Sequence, residues 1–500
     1  MNLLAVQRIL GLLVMLVSIT MLPPLGVALY YGDGNWQPFS HAFFALLAIG
    51  ALIWWPARGR IRELRVRDGF LVVALFWFVI SAAGAVPLLL AEEVQLSITN
   101  AMFESVSGYT TTGATVLSGL DSMPQSLLYY RVQMEWLGGI GMVVLAVALL
   151  PMLGVGGMQL MRAETPGPIK DSKLTPRITG TAKELCRIYI AITIACALAY
   201  WWAGMTPFDA IAHSFSTVST GGNSTHDANL GFFDNEVIEG IAIFFMFIGG
   251  VNFSLHFLAW RHKSLSGFFR DPEFRAYCSV LALAVAVYFA VLWLSRPDGD
   301  PGESFRLSLF HAVSMQTTSG FFTDDFTHWP GALPVILMLS TFLGGCAGST
   351  SGGMKVVRWL LLWKQGQREV VQLVHPSAEV PVKLGQKAID PRIVDAVWGF
   401  FRRLHRGIRR ADGAADRDRR RPGDCVLGDR GLHEQHRDRP RRGRGQFRDA
   451  ERPGQMDLPG GHAAGPSGSL PAAGAGVADL LAPVNCQRFA RLDHYAVSSV

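Results

Sequence analysis

Ser107-Gly108-Tyr109-Thr110-Thr111-Thr112-Gly113 is a run of hydroxyls closed by a glycine. Its pattern returns twice, at Ser216-Thr217-Val218-Ser219-Thr220-Gly221-Gly222 and at Met315-Gln316-Thr317-Thr318-Ser319-Gly320. The glycines at 113, 221 and 320 lie 108 and 99 residues apart. Each tract follows a short, moderately apolar stretch too brief to cross a bilayer. Taken singly, such a tract reads equally well as a helix cap or a turn, because Ser, Thr and Gly dominate both. Three at matching places mark an internal repeat of span, re-entrant half-helix, polar loop and span, a plan common in membrane transport folds.

The composition around these tracts points the same way. Half of the 500 residues are hydrophobic, 17% are charged and the mean hydropathy is +0.27, which disfavours a soluble chain and excludes a collagen or a disordered acidic protein. The six cysteines, Cys186, Cys196, Cys278, Cys346, Cys425 and Cys486, contain no CxxC pair, so neither a zinc site nor a disulfide framework is expected. A window of about 19 residues finds apolar segments long enough for a hydrocarbon core of roughly 30 Å. They lie near 7–30, 38–56, 69–91, 126–152, 184–204, 236–260, 275–295 and 331–364, the last interrupted by glycines. The first is not read as a cleavable signal, because no small-residue cleavage site follows it and a second span comes at once. The fold class expected is an all-α polytopic membrane protein.

Charge sets the orientation. The connections Arg58–Arg67, Arg162–Arg187, Arg261–Arg275 and Lys355–Arg392 are rich in Arg and Lys and are placed in the cytoplasm by the positive-inside rule. Those near 92–125, 205–235 and 296–330 are poor in both and face outward.

A half-helix that returns by a non-helical segment leaves backbone carbonyls unpaired, which lipid tolerates only where they are buried in protein or line a wet cavity. Arranged around an axis, such carbonyls replace the water shell of a cation, and glycine allows the angles that aim them inward. Potassium holds its water weakly and fits this chemistry. The site expected is therefore Thr111, Thr112 and Gly113, Ser219, Thr220 and Gly221, and Thr318, Ser319 and Gly320, with K+ as the only metal.

On these residues the chain resembles the membrane subunit of the bacterial Trk/Ktr potassium uptake systems over about residues 1–400. The resemblance rests on Thr110-Thr111-Thr112-Gly113-Ala114-Thr115, on Glu135-Trp136-Leu137-Gly138-Gly139-Ile140-Gly141, on Ser219 to Asp227 and on Thr317 to Phe321. It implies two N-terminal transmembrane helices followed by four non-identical pore repeats around one potassium path. It also implies a homodimer in the inner membrane, a cytoplasmic nucleotide-binding regulatory subunit (TrkA-like) on the basic inner loops, and no bound cofactor. Repeats are assigned to 68–160, 161–263 and 264–390 after the N-terminal helices at 1–67, with 391–401 opening a fourth.

Residues 344–355, Gly-Gly-Cys-Ala-Gly-Ser-Thr-Ser-Gly-Gly-Met-Lys, hold five glycines and three hydroxyls. That composition either packs helices closely or breaks a helix at mid-membrane. The resemblance implies an intramembrane gate loop here, carried to Gly345, Ala347, Gly348, Ser349, Thr350, Ser351, Gly352 and Gly353, with Lys355 a flanking charge or an interfacial anchor. Asp227, Asp324 and Asp325 read either as a cation-concentrating outer mouth or as solvated loop charges. Arg131 and Glu135, one helical turn apart, are expected to pair. Asn252 is expected to bond between helices or to face the pore, and His213 and His256 to be packed or interfacial. No nucleotide fingerprint, catalytic triad or metal-spaced His/Cys cluster is present, so no enzyme is expected.

The last segment breaks the pattern. Residues 402–500 hold 19 Arg, no Lys and 12 acidic residues, while residues 1–401 balance at −1. No membrane helix can be built from Arg402–Arg448. A disordered basic tail for anionic lipid or nucleic acid is one reading, yet the Arg run has no aromatic or helical pattern to support a nucleic-acid surface. A coding shift is the other. Moving every codon by one nucleotide lets Glu434–Gly443 encode Asn-Asn-Ile-Gly-Thr-Gly-Leu-Gly-Glu-Val, similar to the family's fourth filter, about 117 residues after Gly320. The expectation is a frameshift near Phe401–Arg402 and a chain with three filter loops of four, unable to close a potassium path. The functions expected are potassium uptake, or alternatively a truncated non-transporting membrane protein, or an ion-coupled solute carrier.

Overall fold

The computed structural model describes residues 3–58, 66–144, 178–295, 299–378, 380–385, 387–389 and 391–419. The chain divides into two units, Met1–Phe401 and Arg402–Val500. Among the described residues the only strands are the two-residue partners β1 (Lys383–Leu384) and β2 (Lys387–Ala388), paired antiparallel; the remaining elements are helices.

The N-terminal apolar run forms α1 (Leu3–Ile19) and α2 (Leu22–Tyr31). They separate at Thr20-Met21 because Pro23 and Pro24 open α2 and cannot donate to the preceding turn. The helix α3 (Trp36–Trp54) returns against α1 at glycine contacts. A Cβ on Gly11 would come 2.7 Å from the Trp54 nitrogen, and one on Gly50 2.8 Å from the Met15 nitrogen. Without side chains at these points the two backbones approach closely, the mode of packing lipid favours.

From α4 onward one order occurs three times. The long α4 (Val66–Leu90), the short α5 (Ile98–Tyr109) and α6 (Gln125–Val144) come first, then α7 (Ile178–Trp202), the short α8 (Pro207–Ser219) and α9 (Glu236–Gly249) with α10 (Phe253–His262). After α11 (Ser266–Arg270) come α12 (Pro272–Ser295), the short α13 (Pro301–Gln316) and α14 (Leu333–Thr341), followed by α15 (Val356–Val374) and α16 (Pro391–Arg419). Each short helix is started by a capping side chain, from Ser97, Thr206 and Asp300 respectively, and each runs directly into one of the three hydroxyl-glycine tracts. Tyr189 and Tyr200 of α7, Tyr288 of α12 and Phe310 of α13 are buried in one apolar cluster that these helices share with α8 and α9.

Among the described residues, five helical segments are long and apolar enough to cross a membrane: Leu3–Tyr31, Trp36–Ala57, Leu71–Leu90, Ala182–Trp202 and Pro272–Ser295. The segment read near 236–260 as one span is instead bent by 95° between α9 and α10. Gly249-Gly250 ends the first half, and the Asn252 side chain accepts from the Ser254 N–H to start the second. Asn252 is thus a helix cap, which neither expectation anticipated. The segment near 331–364 is interrupted between Thr341 and Val356. The part of 126–152 beyond Val144 lies outside the described residues.

Replacing Gly50 with Leu should push α3 away from α1 and destabilise the protein by about 1–3 kcal/mol, the usual cost of overpacking. A lowered thermal midpoint of the purified protein in detergent is the expected readout, with Gly26→Leu, whose Cβ meets nothing within 4 Å, as the neutral comparison.

Candidate cation pathway and gate

The three tracts share a backbone conformation. Thr111, Thr220 and Thr318 take φ of +54°, +55° and +58°, and two residues later Gly113, Gly222 and Gly320 take +72°, +86° and +80°. Between them the N–H of Thr112, Gly221 and Ser319 reaches back to the carbonyls of Ser107, Ser216 and Ser314 at 2.9, 2.9 and 2.8 Å. Positive φ is what glycine supplies and threonine resists, so this matched strain identifies equivalent positions. It corrects the register of the second tract by one residue: Gly222, not Gly221, corresponds to Gly113 and Gly320, and Ser219 is the last residue of α8. Two adjacent glycines made the choice undecidable from spacing.

The loops stand side by side. A Cβ on Gly113 would lie 2.0 Å from the Gly221 carbonyl oxygen, and one on Gly222 1.8 Å from that of Ser319. On Gly320 it would meet nothing within 4 Å among the described residues. Asn229 bridges the second and third loops, donating to the Gly222 carbonyl at 3.2 Å and accepting from the Phe322 N–H at 3.4 Å. In the first and third loops the hydroxyl pairs Thr110–Thr112 and Thr317–Ser319 lie 2.8 Å apart, while Thr110 and Thr317 also donate to the last helical turn at Val106 and Val313.

The interruption at 342–355 packs under these loops and is buried from Cys346 to Ala347 and from Ser349 to Ser351. Thr350 Oγ1 donates to the carbonyls of Val218 at 3.0 Å and Gly249 at 3.1 Å, and the Gly352 N–H donates to Thr318 Oγ1 at 2.7 Å. The Cys346 N–H bonds the Gly250 carbonyl at 2.8 Å, the Phe253 N–H bonds that of Gly348 at 3.0 Å, and Glu273 accepts from the Ala347 N–H at 2.6 Å. Lys355 donates to the Ser351 carbonyl within the same loop.

Arg131 does not pair with Glu135. It turns toward Glu104 of α5, Nε to Oε2 at 3.7 Å with both residues almost fully buried, and donates to Thr115 at 3.0 Å and Asn223 at 3.3 Å. Glu104 also accepts from Thr115 and Val116. Sequence spacing suggested the helical neighbour because nothing local marks a partner 27 residues away. His213 is a packed residue, bonded to the Asp209 carbonyl and to Ser224, and His256 bonds Ile248 across the bend. Asp227 accepts from the Gly119 N–H, Asp324 from Trp329 and Asp325 from Thr327. Outside the membrane, His226 bonds Asp121 and holds its carboxyl below the usual carboxylate range. Glu273 is a contributor that no sequence motif marked. Among the described residues no group of three His, Cys, Asp or Glu could hold a metal ion.

These features define the class: a polytopic membrane protein of the transporter type, with re-entrant helices and non-helical backbone packed at their ends. The chain belongs to the TrkH family of cation transport proteins, whose profile matches residues 35–404. It is 53% identical over 397 residues to the Trk system potassium uptake protein TrkH of Salmonella typhimurium, covering 79% of this chain and 82% of that protein. It is 42% identical over 397 residues to TrkG of Escherichia coli, covering 79% and 81%. The crystal structure of the potassium transporter TrkH from Vibrio parahaemolyticus matches with a TM-score of 0.76 and 49% identity, over 82% of this chain and 85% of that one. This protein is a multi-pass membrane transporter and not an enzyme.

Arg131→Met should strand Glu104 as a buried lone charge and cost about 3–5 kcal/mol, whereas Arg131→Met with Glu104→Gln should recover part of that loss. Thermal midpoints of the two variants in detergent measure the difference.

Proposed function

We propose that the protein admits potassium across the bacterial inner membrane through carbonyl sites built by Thr111–Gly113, Thr220–Gly222 and Thr318–Gly320, gated by Gly345–Gly353. The observation that carries this reading is the adjacent set of loops, with Gly113 and Gly222 each against the next loop's carbonyl, at the C-terminal ends of three short helices whose dipoles favour a cation. The relatives' potassium names agree with it. Thr350 and Thr318 tie the gate loop to the filter from below. A homodimer and a TrkA-like regulatory subunit on the basic inner face complete the assembly.

A second reading, a chain that cannot transport, is favoured by the third glycine, which faces no neighbour among the described residues. A fourth loop would stand there. The family match ends at residue 404, where the composition turns to Arg, Gly and Pro, and a one-nucleotide shift restores a filter-like segment. We therefore read residues 402–500 as a frameshifted, non-native tail.

Growth at limiting potassium of a bacterium without its own uptake systems tests both readings, using this chain or its frame-restored version with a regulatory subunit supplied and membrane levels checked by blot. Only the restored version should grow; growth of neither despite normal insertion would sink the potassium assignment. In the restored version Thr350→Val removes the donor to Val218 and Gly249, and rubidium leak without the regulatory subunit should rise about fivefold to a hundredfold if about 1–3 kcal/mol of gate closure is lost.

A further inference from the structure

An apolar cavity of about 560 Å³ opens between α9, α12 and α13. Its floor is the stripe Cys278, Ala282, Ala286 and Phe289 of α12, and its walls are Phe247 of α9 and Leu309 of α13. The floor residues recur every three or four positions, so they share one face of the helix. From Cys278 to Phe289 that face rises about 16 Å, close to the roughly 15 Å depth of one leaflet of hydrocarbon. The helix α12 is one of the segments fit to span a membrane, and Ala282 and Ala286 are exposed, so the cavity opens toward the bilayer.

The preceding repeat shows the same place filled. Tyr189 donates to the Trp136 carbonyl at 3.1 Å and Tyr277 to the Phe247 carbonyl at 3.4 Å, which makes Trp136 and Phe247 equivalent. Thr193 and Leu281, each four residues after its tyrosine, are equivalent as well. So are Phe215 and Val313, each preceding the serine whose carbonyl takes the loop N–H. The Trp136 ring stacks on Phe215 at 4.9 Å, and its N–H donates to Thr193 at 3.1 Å. In the third repeat Leu281 offers no hydroxyl and Val313 no ring, and Phe247 stacks instead on Tyr277 at 5.3 Å. The space that one repeat gives to an indole is left open in the next.

The two ends of the groove differ. Phe289 stacks on Trp293 at 5.8 Å and meets Phe305 edge-on at 6.0 Å, which closes one end with aromatic rings. At the other stands Arg275, exposed and three residues before Cys278 on the same face, in the Arg-rich connection that the positive-inside rule assigns to the cytoplasm. An empty groove would forfeit dispersion contacts along its lining, and an apolar lining gives water no partners. A helix of a second copy, about 10 Å across, would occupy on the order of 1,200 Å³ over this length, too much for the cavity, whereas a single hydrocarbon chain is narrow enough.

We propose that this groove holds one acyl chain of an anionic phospholipid from the cytoplasmic leaflet, whose phosphate pairs with Arg275. The acyl chain takes the place of the missing indole and joins α12 to the second repeat. The proposal depends on the membrane placement alone and stands apart from the cation reading.

Native mass spectrometry of the purified full chain tests it, after lipid removal and re-exposure to vesicles of phosphatidylglycerol or of phosphatidylcholine. The wild type should retain one phosphatidylglycerol per chain. Ala282→Phe with Ala286→Phe, which fills the groove from its open side, should lose that lipid. Phe247→Trp with Leu281→Thr, which copies the preceding repeat, should lose it too, so a failure of either variant to fold leaves the other as the test. Arg275→Gln should weaken phosphatidylglycerol binding about fivefold and leave phosphatidylcholine unchanged. Equal retention by the wild type and the filled variants overturns the proposal, as does equal retention of the two lipids. A filled variant that turns a dimer into a monomer while its lipid is kept overturns it in favour of an interface between copies.

Discussion

Backbone that leaves the helix inside a bilayer must find its hydrogen bonds within the protein, and this constraint organises the rest of the structure. The 95° bend at 249–252 frees the carbonyls of Gly249 and Gly250, and the 342–355 segment supplies Thr350 and Cys346 to them. In return the bend supplies the Phe253 N–H to Gly348. Each discontinuity satisfies the other, so neither helix break is stable alone in lipid. Glycine and small hydroxyls are required for close contact as much as for flexibility: a Cβ on Gly345 would lie 2.7 Å from the Gly250 oxygen.

The three hydroxyl-glycine loops pack on this frame and on a second one. Arg131, Glu104 and Thr115 join α5, α6 and the first loop, and Asn223 brings in the second. A buried ion pair is weak evidence for stability because desolvation offsets its attraction. Its consequence here is geometric: breaking it leaves a charge with nowhere to go, so the relative placement of the first two loops is fixed by what the alternative would cost. Thr318 and Thr350 do the same for the 342–355 segment, whose displacement would strip partners from the second and third loops and from the bend.

Much of the fold was legible in the sequence because hydropathy reports length and composition, and α1 with α2, α3, α4, α7 and α12 form long apolar runs. It reports no direction, so α9 and α10 merged into one straight span although Gly249-Gly250 and Asn252 carried the signal of a stop and a new cap. The same glycine ambiguity displaced the register of the second tract by one residue: Gly221 and Gly222 are both small, and only the positive φ at Thr220 and Gly222 separates them. Periodicity paired Arg131 with Glu135 because local spacing has no access to α5. The anchoring of Ala347 by Glu273 joins residues 74 apart and left no local trace.

Among the described residues a Cβ on Gly320 would meet nothing within 4 Å, unlike one on Gly113 or Gly222. Exposed to hydrocarbon, each unpaired backbone group would cost several kcal/mol, and the first two loops avoid that exposure by leaning on the next. A segment following Phe401 with 19 Arg and no Lys cannot supply the apolar flanks that would carry a fourth loop to the same depth. The shifted reading supplies both a glycine-rich loop and apolar residues after it. On the reading proposed above, the open side beside Gly320 is where a fourth loop would stand.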